Sequence, residues 1–395
     1  MGNGAPLLGR RLIYLSLALA LPGVVPPTVF PPAWATTPHA VEPLDAAEEA
    51  DPAVLAIARR YNPAMALPDA DGPWPVSVRY SWSEGADLQA RTIGHGGAVL
   101  HSERAIANAD LDRRAWDQLP ARDAHGDRIE YWIDGPGDDR TRDGVTDWRR
   151  RWQSAAAKTP TQYAHLFWLN RARGELVVQY WFFYPFNEWI NHHEGDWEHV
   201  NIVLKGPSRL AGAADYRPVG YEFYFHGYRL ETDRPIRVAA REGAGPAAAN
   251  RDHPVVFVGG HGRVLWWSGT QSGGSYPWPA TYPGAGGGFG PFTVADDTRA
   301  PARVLDPESF DIVMLPEPAR LDARAHPELS WLRLPFLAGQ PRVFANPPLV
   351  DRLGGGKPPR QPALRPEWNG IGTRAIWRGT PVVDGEVPVL ARAGD

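Results

Sequence analysis

Apolar residues in this chain come mostly in short runs broken by glycine, proline and polar clusters, a rhythm that predicts strands rather than long helices. The clearest runs begin at Tyr163. Residues 163–169 and 175–186 are aromatic and β-branched, and Asn170-Arg171-Ala172-Arg173-Gly174 between them predicts a hairpin loop. Residues 196–204, 220–228 and 254–258 continue the series. Upstream, Asp51-Pro52 ahead of residues 53–61 predicts a capped helix that Asn62-Pro63 ends. Residues 76–82 alternate as a strand, and the polar stretch 85–160 predicts helices near 112–119 and 145–157. Residues 259–292 form a Gly- and aromatic-rich loop region, and no internal repeat is present. The fold class expected is mainly β: a decorated β-sandwich with peripheral helices and long Gly/Pro-rich loops.

One apolar run falls outside this scheme. Arg10-Arg11 precedes residues 12–21, which are too short to span a bilayer, and Ala33-Trp34-Ala35 is a small-x-small cleavage pattern. The expectation is a secretory signal peptide over 1–35, by the general or the twin-arginine route, with an uncleaved N-terminal anchor as the alternative. A single sandwich domain would follow over 36–345, then a Pro/Gly-rich tail over 346–395. The protein is expected to be secreted or periplasmic.

Composition narrows the chemistry. Of 395 residues, 22% are charged and 43% hydrophobic, which is globular material. Gly 41, Pro 41 and Trp 17 favour turns and aromatic packing over a helical bundle. The net charge of −4 becomes −6 once the leader's two arginines are gone, so no nucleic-acid partner is expected. With no cysteine, a metal site must be built from His, Asp, Glu and Asn.

The candidate chemistry sits in Asn191-His192-His193-Glu194-Gly195-Asp196-Trp197-Glu198-His199. Strand alternation puts Asp196, Glu198, Val200, Ile202 and Leu204 on one face, and Trp197, His199, Asn201 and Val203 on the other. The aliphatic face is the expected core face, so two carboxylates point inward with α-carbons about 6.5–7 Å apart. Buried like charges need a shared proton, an Arg or Lys partner, or a cation. His193 and Asn187 stand near enough in sequence to join them, and such an oxygen-rich set suits Mg²⁺, Ca²⁺ or Mn²⁺. The alternative is a structural carboxylate pair bonded to arginine and backbone amides. His226 and His261, each beside glycine at a strand end, are candidate catalytic groups or plain rim residues.

Other signals are weaker. Asp139-Arg140-Thr141-Arg142-Asp143-Gly144 opens like a calcium loop, but Arg150 stands where the bidentate Glu belongs. Trp197 occupies the second His position of a zinc H-E-x-x-H motif, and there is no G-x-S-x-G elbow or phosphate loop. Trp266, Trp267, Tyr276, Trp278 and Tyr282 are candidates for stacking on sugars or a headgroup layer, or for core packing.

Several segments resemble the vacuolar-protein-sorting-62-related family. They are Arg59-Arg60-Tyr61-Asn62-Pro63, Pro75-Val76-Ser77-Val78, Gln179-Tyr180-Trp181-Phe182-Phe183-Tyr184-Pro185-Phe186-Asn187, Gly195-Asp196-Trp197-Glu198-His199-Val200, His253-Pro254-Val255-Val256-Phe257-Val258 with Gly260-His261, and Trp331-Leu332. The likeness spans roughly 55–345; that family has little assigned biochemistry. More locally, the chain is similar to the necrosis- and ethylene-inducing-like proteins, whose heptapeptide G-H-R-H-D-W-E matches at His193, Asp196, Trp197 and Glu198. That resemblance implies a secreted sandwich with a divalent cation in an acidic pocket, binding sphingolipid sugars at membranes. It implies His193, Asp196 and Glu198 as ligands, with Asn187 where the family has a fourth, acidic ligand. His192 and Gly195 depart from the heptapeptide, the family's disulfide cysteines are absent, and 85–160 is unmatched.

The leading expectation is therefore a cation-dependent binding protein for surface glycans or glycolipids, with membrane activity as an extension. The second is a metal-dependent hydrolase of a phosphoester, ester or glycoside, with His226 or His261 as general base. The third is an envelope scaffold whose acidic cluster is structural.

Overall fold

The computed structural model describes residues 41–81, 87–93, 99–107, 120–135, 144–155, 158–187, 192–238, 253–260, 271–286, 288–289, 292–293, 295–333, 337–340 and 358–383. The leader and its cleavage pattern, the predicted helix at 112–119, residues 139–143 of the calcium-loop pattern, and His261, Trp266 and Trp267 lie outside them.

The N-terminal helices form where caps dictate. Asp45 and Glu48 make a reciprocal capping box on α1 (Ala46–Glu49). Asp51 accepts from the Ala53 amide to start α2 (Pro52–Tyr61), and Asn62 ends it in an extended conformation. The buried face of α2 is Val54, Ile57, Ala58 and Tyr61, a helical repeat aimed at the sheets. Fully burying Ile57 contributes about 1.5–3 kcal/mol.

The strands are β1 (Glu42–Pro43), β2 (Ala64–Leu67), β3 (Asp87–Ile93), β4 (Val99–Ala107), β5 (Arg128–Asp134), β6 (Thr161–Asn170), β7 (Glu175–Asn187), β8 (His193–Lys205), β9 (Arg217–Phe225) and β10 (Tyr228–Thr232). They continue with β11 (Arg237–Val238), β12 (His253–Val258), β13 (Ser275–Tyr276), β14 (Thr281–Tyr282), β15 (Gly288–Phe289), β16 (Phe292–Thr293), β17 (Asp296–Asp297), β18 (Arg303–Leu305), β19 (Asp311–Met314) and β20 (Ala375–Ile376). The main sheet runs β1-β6-β7-β8-β9-β10-β20, with β19 also on β6; a smaller one runs β11-β12-β2-β18, with β13 on β12. Leu166, Val178, Val200 and Ile202 of the first meet Met65, Leu67, Val256 and Val258 of the second, with α2 closing the layer. The protein is mainly β, as expected.

Two sequence expectations change. Of the predicted strand 76–82, the described residues 76–81 do not form one: Ser77 caps a short 3₁₀ turn, Val78–Tyr80, while Val76 makes one bridge to Pro160. Local side-chain capping outcompeted the alternation there. The polar stretch after residue 85 contains the three-stranded sheet β4-β3-β5, whose cross-strand partners Arg91 and Glu130 are charged and hide the strand signal. Helix α3 (Gly144–Ser154) does form near the expected place.

Strand β8 is buried on its second face as well. Trp197 lies in a second, aromatic core with Trp148, Trp152, Trp181 and Trp331, and Val203 in a smaller cluster. On that outer side His165, Gln179, Asn201, Glu222 and Glu231 form one register line across β6 to β10. The described part of the C-terminal tail lies over this polar line. Gln179 donates to the Glu367 carbonyl, Asn201 to the Gly370 carbonyl, and the Gly372 amide to Glu222.

Candidate functional site: a buried acidic pocket

The site begins at a backbone irregularity. Gly195 has φ 58, and a β-carbon there would fall 1.9 Å from the Ala338 carbonyl, so no larger residue fits. Beyond it the pairing with β7 runs without a break from Asp196 to Lys205. Asp196 and Glu198 both face the inner side, 8% and 7% exposed.

Ser272-Gly273-Gly274-Ser275 closes over them. Ser272 donates its amide to the Gly259 carbonyl at 2.8 Å, and Gly259 donates to Gly274 at 2.7 Å. Gly273, at φ 75, lies so close that an added β-carbon would stand 3.2 Å from Asp196 Oδ2. The second wall comes from the β9–β10 turn. His226, itself left-handed at φ 47, donates from Nε2 to Asp296 Oδ2 at 3.1 Å. Asp296 also accepts from the Ser272 hydroxyl at 3.0 Å and from Tyr276.

Electrostatics set the pocket's character. Burial pushes Glu198 up to about 8, and Asp196 adds like-charge repulsion, against the opposing fields of Arg374, Arg365 and His226. Burial also opposes the His226 cation, but Asp296, then Glu198 and Asp196, outweigh it and hold that imidazole above its ordinary value. Tyr184, buried beside the pair, is held well above the ordinary phenol range by burial and by both carboxylates. Among the described residues no arginine or lysine bonds directly to Asp196 or Glu198, and Glu198 Oε2 and the Tyr184 hydroxyl are buried with no hydrogen-bond partner. The alternative of a directly arginine-bonded carboxylate pair therefore has no such bond among the described residues. Arg365 and Arg374 bond instead to Glu367 and to the Trp197 and His226 carbonyls.

The expected ligands divide. Asp196 and Glu198 share a face of β8 and feel the charge of His226, while His193 turns aside to Asn187, its register partner on β7. Asn187 Nδ2 stands 3.2 Å from His193 Nε2, and His193 Nδ1 is 3.1 Å from the Gly195 carbonyl. Burial and the neighbouring His193 lower His192 to about 4, against its bond to the Asn187 backbone. Among the described residues no group of three or more His, Asp or Glu is arranged around one ion. The aromatic candidates divide too. Tyr276 and Tyr282 are fully buried core rings, 4.2 Å apart, so neither offers a face to a sugar in this arrangement. Trp278 is half-buried and donates to the Arg234 carbonyl. Asp296, Tyr184, Ser272 and the two tail arginines were not legible as site residues. The Gly-Gly pair inside 272–275 was the one local signal.

Fold and site together define a β-sandwich protein with a covered acidic pocket at one strand end. No family model matches the chain, and no curated protein matches it. Solved structures do. It is similar to a structure described as a toxin fold for microbial attack and plant defense, at 14% identity and TM-score 0.26 over 61% of this chain and 78% of the other. It is similar to NLPPya in complex with glucosamine, at 15% identity and TM-score 0.25 over 61% and 77%. It is also similar to Necrosis and Ethylene inducing Protein 2 from the causal agent of cocoa's witches' broom disease, at 12% identity and TM-score 0.23 over 54% and 63%.

Proposed function

We propose that this protein is a secreted, divalent-cation-dependent binder of surface glycans or glycolipids. The observation that carries the proposal is the Asp196–Glu198 pair, buried together without a direct basic partner among the described residues, with one carboxylate oxygen left without a hydrogen bond. A hard cation would offset the burial and the like-charge repulsion that together push Glu198 up to about 8. Asp196 and Glu198 would hold it, and Gly273 leaves room where any side chain would crowd Asp196. Two carboxylates alone suit an ion that keeps open positions, as Mg²⁺ does when water or ligand oxygens complete its shell. When bound, the ion supplies a Lewis-acidic site for vicinal sugar hydroxyls. His226, held by Asp296, stands ready to donate to or accept from the same ligand. Membrane activity would follow only where the glycan is carried on a lipid.

Elemental analysis of the purified protein tests the cation, with Asp196→Asn alongside. Near-stoichiometric Mg, Ca or Mn that falls in the variant is expected. Binding to arrays bearing glucosamine and mannosamine termini, repeated with EDTA and with Glu198→Ala, tests the ligand class. Binding that survives both treatments rejects the proposal.

The second reading is hydrolysis, favoured by the His226–Asp296 pair, since a carboxylate-backed imidazole is a competent general base. EDTA-sensitive turnover of phosphoester, ester or glycoside panels, abolished in His226→Gln, would select it over simple binding.

A further inference from the structure

The C-terminal segment reaches the back of the same pocket. Glu367 accepts from Arg374 Nε at 2.7 Å and lies 3.4 Å from Arg365 Nη2, so one carboxylate spaces two guanidiniums. Burial opposes the charge on Glu367, but those arginines hold it below the usual carboxylate range. Between them lies a buried stack: the His199 ring is 4.3 Å from Trp181 and 3.9 Å from Tyr224. Arg365 sits over Trp181 at 5.2 Å and Arg374 over Tyr224 at 5.7 Å. Each arginine then ends on a backbone carbonyl of the site. Arg365 donates to Trp197, between Asp196 and Glu198, at 2.6 Å, and Arg374 donates to His226.

The His226 contact is the informative one. A non-glycine residue at φ 47 is held in a conformation that costs about 1 kcal/mol or more unless its surroundings fix it. Here its carbonyl is held from the tail by Arg374, and its imidazole from the pocket by Asp296. Pairing of β20 with β10 at Ala375 and Tyr228 brings Arg374 beside the turn, but neither side-chain bond is part of that ladder.

We propose that residues 365–374 are a positioning strap in which Arg374, set by Glu367, fixes the His226 turn and so the geometry of the Asp196–Glu198 pocket. The strap rests on the cation-binding reading for its effect on affinity, but not for its effect on His226. Two opposed consequences make it testable. If Arg374 acted only through its charge, removing it would tighten cation binding, because a repelling positive charge is gone. If it positions His226, removing it loosens the pocket and weakens binding.

The test uses full-length protein, with Ca²⁺ and, separately, Mg²⁺ as probes in calorimetry, and the His226 imidazole ¹H–¹³C resonance followed without added cation. Arg374→Gln is expected to move that resonance and weaken cation binding by about tenfold, the scale of loss typical for supporting residues. Arg374→Lys should recover part of both. Arg171→Gln, which breaks an ion pair with Glu48 on α1, should lower Tm and leave both unchanged. An unchanged His226 resonance in Arg374→Gln, or cation binding as tight as or tighter than in the wild type, overturns the strap. If Arg374→Gln does not fold, Glu367→Gln is read by the same criteria. If the wild type takes up neither ion, the cation reading fails, and the His226 resonance alone decides the strap.

Discussion

His226, in the turn between β9 and β10, and Asp296, on β17, are 3.1 Å apart, the imidazole donating to a carboxylate with no solvent exposure. Their pairing joins the β9–β10 turn of the large sheet to the small β14–β17 ladder, across the mouth of the acidic pocket. It makes the pocket a property of the packed sandwich rather than of one strand.

Asp296→Asn should let the imidazole fall, because burial then opposes its charge with only the more distant carboxylates against it. An NMR titration of His226 reads this directly. A raised histidine stabilises the fold below the ordinary imidazole value, and loses that contribution as pH rises through the folded value. The stability gap between wild type and variant, about 2 kcal/mol from the weakened buried bond, should therefore be widest in acid and narrow toward alkaline pH. A gap that widens with pH would contradict the pairing.

Asp196→Asn should release Glu198. With the neighbouring charge gone, Glu198 should titrate below its value of about 8, though burial keeps it above an ordinary carboxylate. Carbon-13 carboxyl shifts followed against pH measure the change. An unmoved Glu198 would mean that the two carboxylates do not sense one another.

Gly273→Ala tests the closeness of the covering loop. The left-handed backbone and the 3.2 Å approach to Asp196 Oδ2 together predict a loss of about 1–3 kcal/mol. Thermal unfolding should show it, together with weaker cation uptake. Gly126, also left-handed but with nothing within 4 Å of an added β-carbon, supplies the comparison that isolates backbone strain.

Glu222 should give the fold an unusual pH signature. Burial raises it to about 7 despite donation from Tyr224 and Asn201. A carboxyl raised in the folded state binds its proton more tightly there, so its contribution is largest below the unfolded value of 4.5 and fades as pH climbs to 7. Across that window wild type should lose about 3 kcal/mol relative to Glu222→Gln. Urea unfolding at pH 4.5 and 7 decides this; parallel pH dependences in the two proteins would refute it.

The sequence by itself determined the main-sheet strands from residue 163 onward, the hairpin, the capped helix and the Asp196/Glu198 face. Each follows from nearest-neighbour chemistry: β-branched and aromatic runs, turn residues, a side chain capping an amide two positions on, and the two-residue period of a strand. It also offered an acidic pair whose burial demanded a counter-charge. Tertiary structure decided what meets that pair. It turned His193 to Asn187, enclosed Tyr276 and Tyr282 in the core, and laid the C-terminal tail over the outer face of the main sheet. It also brought Asp296, Ser272 and Arg374 to His226 from 70, 46 and 148 positions away. Long-range partners leave no periodic trace, because a single polar residue in a loop reads the same whether it ends in water or against a buried imidazole. Only the closing of the two sheets and the docking of the tail, driven by apolar burial on both faces of β8, determines which of them reach the site.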